Sequence, residues 1–273
     1  MTPTPAAAGI GRKAPSTILA TEVFSAIQGE AALVGERQVF VRLTGCNIRC
    51  TYCDQPEALE RRPGSCRVER RAGRRDWRAV DSPVGIDELT EMVAALWRQV
   101  PHHSISLTGG EPLLQSLRVG RLLERLAEQG WPVMLETNGM LVPALRRVTA
   151  HLDYVSMDLK LQSVDGQGVH PEAQAEFLRE SLAAGIATWA KIVVGPATDI
   201  GELERAVTMV ADASAATADA GRGVEVFLQP LTPFGAATRA PTPDQVLDLQ
   251  ARALRIHPRV RVVPQTHKAI GQL

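Results

Sequence analysis

Apolar positions along the chain keep two rhythms, short runs of β-branched and aliphatic residues alternating with longer stretches in which apolar residues return every third or fourth position. Ile18 to Ser25 reads as a strand, with Ala26-Ile27-Gln28-Gly29-Glu30 as the turn after it, and Val39 to Leu43 as a second strand. Ile86, Leu89, Met92, Val93, Leu96 and Trp97 then recur at helical spacing, with Asp87 and Glu88 where a helix start favours negative charge. Ser104 to Leu107 is the next strand, Leu117 to Gln129 an amphipathic helix closed by Gly130, and Val133 to Leu135 and Tyr154 to Met157 two more strands. Ala187 to Val194, Val224 to Leu228 and Val260 to Val263 complete the strands, and Pro171 to Ala184, Ile200 to Ala215 and Pro243 to Ile256 the helices.

Alternation of this kind implies an α/β fold, a parallel sheet with helices on its outer face. Roughly six units are legible, fewer than the eight of a closed barrel, which predicts a partial (β/α)6 barrel open on one side. Its chemistry is expected where strand ends carry Thr108-Gly109-Gly110-Glu111-Pro112, Glu136-Thr137-Asn138-Gly139, Asp158-Leu159-Lys160 and Gln229-Pro230. Residues 1–16, rich in Pro, Ala and Gly without an apolar core, read as a disordered cytoplasmic tail, and residues 17–273 as one domain. The stretch from 55 to 83 breaks the rhythm. Eight arginines fall between Arg61 and Arg78, and an irregular surface insertion is expected there.

Composition narrows the classes. The 273 residues are 45% hydrophobic, enough for a substantial core, and 30 basic residues balance 30 acidic ones. A zero formal charge marks neither a nucleic-acid nor a membrane binder, and no apolar run approaches the ~18 residues of a membrane span.

Three of the four cysteines, Cys46, Cys50 and Cys53, fall within eight residues. Extended, that segment would span about 25 Å, so convergence of its sulfurs demands a tightly wrapped loop, which Gly45 and Asn47 suit. Thiolates in such spacing favour an iron–sulfur cluster or zinc in a reducing compartment. A closed zinc site takes four protein ligands, and only three are local, unless Cys66 or a histidine completes a zinc knuckle in a non-catalytic binding module. A four-iron cluster on three thiolates leaves one iron open.

The Cys-x3-Cys-x2-Cys loop with Tyr52 before its last cysteine resembles that of the radical S-adenosylmethionine (SAM) enzymes. The resemblance implies one 4Fe-4S cluster on Cys46, Cys50 and Cys53, whose open iron is chelated by SAM and whose electron cleaves SAM to methionine and a 5′-deoxyadenosyl radical. Glu22-Val23-Phe24, Ile27-Gln28-Gly29-Glu30, Arg42 four residues before the first cysteine, and the C-terminal Gln265-Thr266-His267-Lys268 narrow the likeness to the 7-carboxy-7-deazaguanine synthase family. That family contracts the ring of 6-carboxy-5,6,7,8-tetrahydropterin with loss of ammonia. Carried over, Tyr52, Cys53, Asp54, Gly110, Glu111, Ser156, Asp158, Lys160 and Gln229 would bind SAM. Ile27, Gln28, Gly29, Glu30, Arg42, Thr108, His267 and the terminal Leu273 would bind substrate, Arg42 meeting its carboxylate through a two-point fork.

Two positions depart from the family pattern. Gln55 stands where a Thr or Ser hydroxyl holds magnesium, and Ala31 where a glycine follows Gln-Gly-Glu. The resemblance also implies a homodimer. The arginine-rich stretch suggests a docking patch for an acidic electron donor such as flavodoxin, with Cys66 a free thiol. A rival enzyme reading is a glycyl-radical activase, which shares the cysteine spacing. Arg42 and the Ile-Gln-Gly-Glu turn suit a small anionic heterocycle better than a peptide.

Overall fold

The computed structural model of the chain describes residues 15–166, 170–216 and 223–272, so the bulk of the N-terminal tail and Leu273 lie outside the described residues. The chain opens with β1 (Thr17–Ile18), β2 (Ala20–Ile27) and β3 (Arg37–Leu43), then β4 (Ser65–Glu69), β5 (Trp77–Asp81) and β6 (Val84–Gly85). From α1 (Ile86–Trp97) helices and strands alternate: β7 (Ser104–Gly109), α2 (Ser116–Ala127), β8 (Val133–Thr137), the short α3 (Val142–Leu145), β9 (Tyr154–Leu159), the short α4 (Gln162–Asp165) and α5 (Pro171–Ala183). The chain finishes with β10 (Ala187–Val194), α6 (Ile200–Ala215), β11 (Val226–Pro230), α7 (Pro243–Ile256), β12 (Val260–Val262) and the single turn α8 (Thr266–Ala269).

Ten strands form one sheet in the order β12-β11-β10-β9-β8-β7-β3-β2-β4-β5. From β12 to β3 every neighbouring pair is parallel, which is the expected unit repeat with the three-residue β12 added as a last strand. The sheet does not close, since β12 and β5 are its two edges.

Two-residue periodicity sorts the strands' side chains. Val39, Val41, Leu43, Ile105, Leu107, Val133, Leu135, Val155, Met157, Ala190, Ile192, Val226 and Leu228 enter one core with the apolar faces of the helices, including Leu89, Val93 and Leu96 of α1. Each such aliphatic side chain contributes about 1.5–3 kcal/mol when fully buried. The alternate positions, Gln38 and Arg42, Ser106 and Thr108, Glu136, Ser156 and Asp158, Lys191 and Gln229, therefore face the concave side. The helices start on local signals. Asp199 caps α6 by accepting from the Glu202 N–H at 2.8 Å, and Thr242 with Gln245 forms a reciprocal capping box on α7.

The bottom of the concave side is filled from within. The connection from β2 to β3 turns inward, and Ala31 packs in an apolar cluster with Met134, Trp189 and Phe227. Ala31 has φ 52°, the left-handed region that favours glycine, which accounts for the glycine expected there. Burial of its methyl in that cluster offsets part of the strain. After β12 the C-terminal segment crosses the open side. The Thr266 N–H donates to the Gly29 carbonyl at 2.9 Å, Lys268 pairs with Asp54 at 2.8 Å, and Arg75 donates to the Gly271 carbonyl.

The irregular insertion expected over residues 55–83 is corrected. β4 and β5 form an antiparallel hairpin, and β4 adds to β2 in parallel, so the segment extends the sheet. Cys66 and Val68 are buried in the main core, and the buried Glu69 carboxylate accepts the backbone N–H groups of Ser25, Gly73 and Arg75. Exposed arginines obscured this alternation, because their long stems cover apolar surface, as Arg67 does at 5.0 Å from the centre of the Trp77 ring. Nor do the arginines make one patch. β2 runs antiparallel to β3 and parallel to β4, so the hairpin tip, with Arg70, Arg71, Arg74 and Arg75, lies at the end of the sheet opposite the cysteine loop.

The end of β7 has no room for side chains. A Cβ on Gly109 would stand 2.0 Å from the Leu43 carbonyl oxygen, and one on Gly110 2.0 Å from that of Gly45. Gly110→Ala is expected to push the cysteine loop off the strand end and cost about 2 kcal/mol, in the range of overpacking. A thermal melt checks this, and a melting temperature equal to wild type would contradict so close an approach.

Candidate active site

The cysteine loop begins where β3 ends and is pinned on three sides. The Gly45 N–H donates to the Ala58 carbonyl at 2.8 Å, the Gly45 carbonyl accepts the Glu111 N–H at 2.7 Å, and the Thr51 N–H donates to the Asp165 carbonyl at 3.3 Å. Inside it, the Arg49 guanidinium donates to the Cys46 carbonyl at 2.9 Å, and the Cys53 N–H turns back on the Cys50 carbonyl at 3.2 Å. Cys46, Cys50 and Cys53 are free thiols around one cavity of about 160 Å³, whose other walls include Thr108, Gly110, Glu136, Asn138, Ser156, Asp158, Lys160 and Lys191. Among the described residues no three Cys, His, Asp or Glu side chains gather on a single point as one metal ion would need. Three sulfurs around a cavity instead suit a polynuclear cluster, and Cys66, buried in the core behind the sheet, is not among the lining residues. Burial pushes the Cys46 and Cys50 thiols up, so ligation must displace their protons.

Across the cavity, β9 presents Ser156, Asp158 and, just past its end, Lys160. Asp158 Oδ2 pairs with Lys160 at 2.8 Å and with Lys191 at 3.4 Å, while Oδ1 is buried with no hydrogen-bond partner among the described residues. Burial opposes charge here, but the two ammonium groups outweigh it and hold the Asp158 carboxyl below its ordinary range. Lys160 also donates to the Tyr52 hydroxyl at 3.2 Å and lies 5.1 Å from the centre of that ring. Ser156 Oγ accepts from Trp189 Nε1 at 3.0 Å, leaving its own proton to donate. An orphaned carboxylate oxygen, a free hydroxyl proton and two ammonium groups suit an amino-acid or ribose-bearing ligand beside the sulfurs.

The Glu111 side chain points away from the cavity. Its carboxylate accepts from the Leu113 N–H at 3.0 Å, from Thr137 Oγ1 at 2.9 Å and from the Asn138 N–H at 2.9 Å, so its side chain stitches β7 to β8 and does not line the cavity. Desolvation lifts its pKa to about 7. Asp54 likewise turns away, toward Lys268 at 2.8 Å and Gln265 at 3.2 Å. Gln229 reaches the Glu30 carboxylate at 3.3 Å, with its own Oε1 buried and unpartnered.

The positions expected to meet substrate divide: Thr108 lines the cavity, Gln28, Gly29, Glu30 and His267 gather at the floor, and Arg42 lines a separate recess. Gln28 accepts the Glu30 N–H at 3.0 Å and donates to Gln38 at 2.9 Å and Glu136 at 3.0 Å. Glu136 also takes the Ser106 and Thr108 hydroxyls, at 2.9 and 3.0 Å. Glu30 is ion-paired to Lys191 and accepts Gln265 Nε2 at 2.8 Å. Gly29 lies directly beneath His267, since a Cβ there would stand 2.1 Å from Nδ1, so this glycine makes room for the imidazole. Burial holds the His267 pKa below its ordinary value, favouring the neutral ring. Ile27 ends β2 half-buried. Arg42, beside Thr108 in register, donates Nε to Glu22 at 2.8 Å, and Glu22 also pairs with Arg67. Gln55 does not join the sulfurs. It lines a separate recess with Glu22, Arg42, Glu57, Glu60 and Arg67.

Lys191, Glu136 and Gln265 carry much of this arrangement; the sequence placed Glu136 and Gln265 in motifs without a role and did not single out Lys191. For Lys191 a signal existed. It is the one charged residue in the otherwise apolar run Ala187 to Val194, in the inward phase of Trp189.

Known proteins share these features. The profile described as the Radical SAM superfamily matches residues 40–210. The 7-carboxy-7-deazaguanine synthase of Geobacter sulfurreducens is 41% identical over 254 residues, covering 92% of this chain and 96% of the relative. That of Methanothermobacter thermautotrophicus is 32% identical over 264 residues, again covering 92% and 96%. A crystal structure of QueE from Escherichia coli superposes with a TM-score of 0.58 at 20% identity, covering 91% of this chain and 93% of that one, a likeness of fold. The chain belongs to the radical SAM superfamily and, within it, to the family of the 7-carboxy-7-deazaguanine synthases.

Proposed function

We propose that this chain converts 6-carboxy-5,6,7,8-tetrahydropterin to 7-carboxy-7-deazaguanine with release of ammonia. The observation that carries the reading is the meeting of three cysteine sulfurs with Ser156, Asp158 and Lys160 in one cavity, whose Glu136 and Lys191 are bonded to Gln28 and Glu30 of the floor. When bound, the 4Fe-4S cluster on Cys46, Cys50 and Cys53, together with SAM, supplies the radical chemistry. The protein's own groups position and exclude water. Ser156 Oγ–H, the Asp158 carboxylate and the Lys160 ammonium meet the polar groups of SAM, and the backbone at Gly110 approaches because no side chain intervenes. On the substrate side, Glu22 fixes the plane of the Arg42 guanidinium through Nε, which leaves the terminal nitrogens for a two-point contact with a carboxylate. Thr108, Gln28 and Glu30, backed by Glu136, face the heterocycle, and His267 with the C-terminal segment closes over it.

Magnesium does not fit the residues present. The ion favours carboxylate oxygens and retained water, yet Asp54, Glu30 and Asp158 are each already paired to a lysine. Gln55 offers one carboxamide oxygen in a recess apart from the sulfurs. No step is routed through the ion. Turnover is expected to change less than about twofold when EDTA replaces magnesium, since two charge-matched lysines already supply the cationic field. A strict magnesium requirement would contradict this.

An acidic donor such as flavodoxin would approach the cysteine loop from the side of the exposed Arg49, Arg61 and Arg62, and not at the hairpin tip. Charge reversal at Arg61 and Arg62 is expected to slow reduction by the protein donor and leave dithionite reduction unchanged, with Arg74 and Arg75 as silent controls. Equal loss with both reductants would reject this approach.

The decisive test is anaerobic reconstitution with iron and sulfide followed by addition of SAM, reductant and the carboxytetrahydropterin. Product with 5′-deoxyadenosine is expected; 5′-deoxyadenosine without product would reject the pterin, and neither would reject the enzyme.

A further inference from the structure

A chain of polar contacts runs around the inside of the barrel, and one of its members has no role in the reading above. Asp158 on β9 meets Lys191 on β10, and Lys191 is ion-paired to Glu30 of the floor. The Glu30 N–H is held by Gln28, Gln28 donates to Glu136, and Glu136 accepts Thr108 on β7. Among the described residues, Lys191 alone is ion-paired to a carboxylate on each side, Asp158 beside the sulfurs and Glu30 on the floor.

Geometry gives this bridge a consequence. Both Lys160 and Lys191 approach Oδ2 of Asp158, whose side chain lines the cavity, while Oδ1 is buried with no hydrogen-bond partner among the described residues. With Lys160 as the sole tether the carboxylate could turn either oxygen outward. A second ammonium on the same oxygen removes that freedom.

We propose that Lys191 is a positioning residue that fixes the Asp158 carboxylate in the cavity that takes SAM and ties it to Glu30 of the floor. The proposal rests on the reading above only in taking SAM as the occupant of the cavity. Lys191 acts on the cosubstrate by holding Asp158, so its effect belongs to SAM affinity and not to cluster assembly.

The test is equilibrium binding of SAM to the reconstituted holoenzyme in the absence of pterin. Lys191→Met is expected to raise the dissociation constant by about tenfold or more, with iron and sulfide content at wild-type level. Lys191→Arg keeps the charge and can bridge both carboxylates, so it restores affinity to within about threefold. The double variant Glu30→Gln with Lys191→Met removes one of the two carboxylates that the single change leaves short of counter-charge. It guards against misfolding and is expected to bind SAM as weakly as Lys191→Met. Wild-type affinity in either methionine variant overturns the proposal, as does failure of arginine to rescue. A wild-type enzyme that binds SAM but makes no 7-carboxy-7-deazaguanine would sink the ring-contraction reading alone, because the binding measurement needs no pterin.

Discussion

Three thiols on eight residues can serve one cluster only if the loop bearing them is held in shape from outside. Here the clamp is backbone. Gly45 is bonded on one side to Ala58 and on the other to Glu111, and Thr51 is bonded to Asp165 beyond β9. Gly109 and Gly110 allow the end of β7 to lie against Leu43 and Gly45 at distances that exclude any side chain. The glycine pair is thus as much a packing requirement of the cysteine loop as an approach to a ligand. Glu111, behind it, ties the same strand end to Thr137 and Asn138.

The second constraint is electrostatic. A barrel whose outer face is covered by helices must put its chemistry on the concave face, where water is scarce and every charge needs an answering one. Lys160 and Lys191 answer Asp158, Lys191 also answers Glu30, and Lys268 answers Asp54 from the C-terminal segment. The same pairs that permit burial connect floor, wall and C-terminal closure, so positioning of ligands and stability of the interior are one network. That network also commits Asp54, Glu30 and Asp158 to lysines, which takes these carboxylates from a divalent cation.

Legibility in the sequence followed burial. Helices such as Ile86–Trp97 and strands such as Ala187–Val194 lie between a covered face and a core, and their periodicity gave their bounds. The hairpin of β4 and β5 was hidden because only Cys66 and Val68 mark its alternation and exposed arginines break the rest. Site residues on strand-end motifs, such as the cysteines, Thr108 and Asp158, were found by their motifs. Lys191 belongs to no motif, and Gln265 stood in the C-terminal motif without a role; the importance of both comes from partners more than thirty residues away, which local pattern cannot register. A motif position fixes the chain but not the direction of a side chain, as the Glu111 carboxylate on Thr137 and Asn138 and the separate recess at Gln55 show.

The account depends on one iron that the protein leaves unligated. Electron paramagnetic resonance of the reduced, reconstituted enzyme, with SAM carrying nitrogen-15 in its amino group, reads that iron directly. The account predicts a shift of the cluster signal on adding SAM and a hyperfine coupling to the labelled nitrogen. A signal indifferent to SAM, with no such coupling, would contradict it.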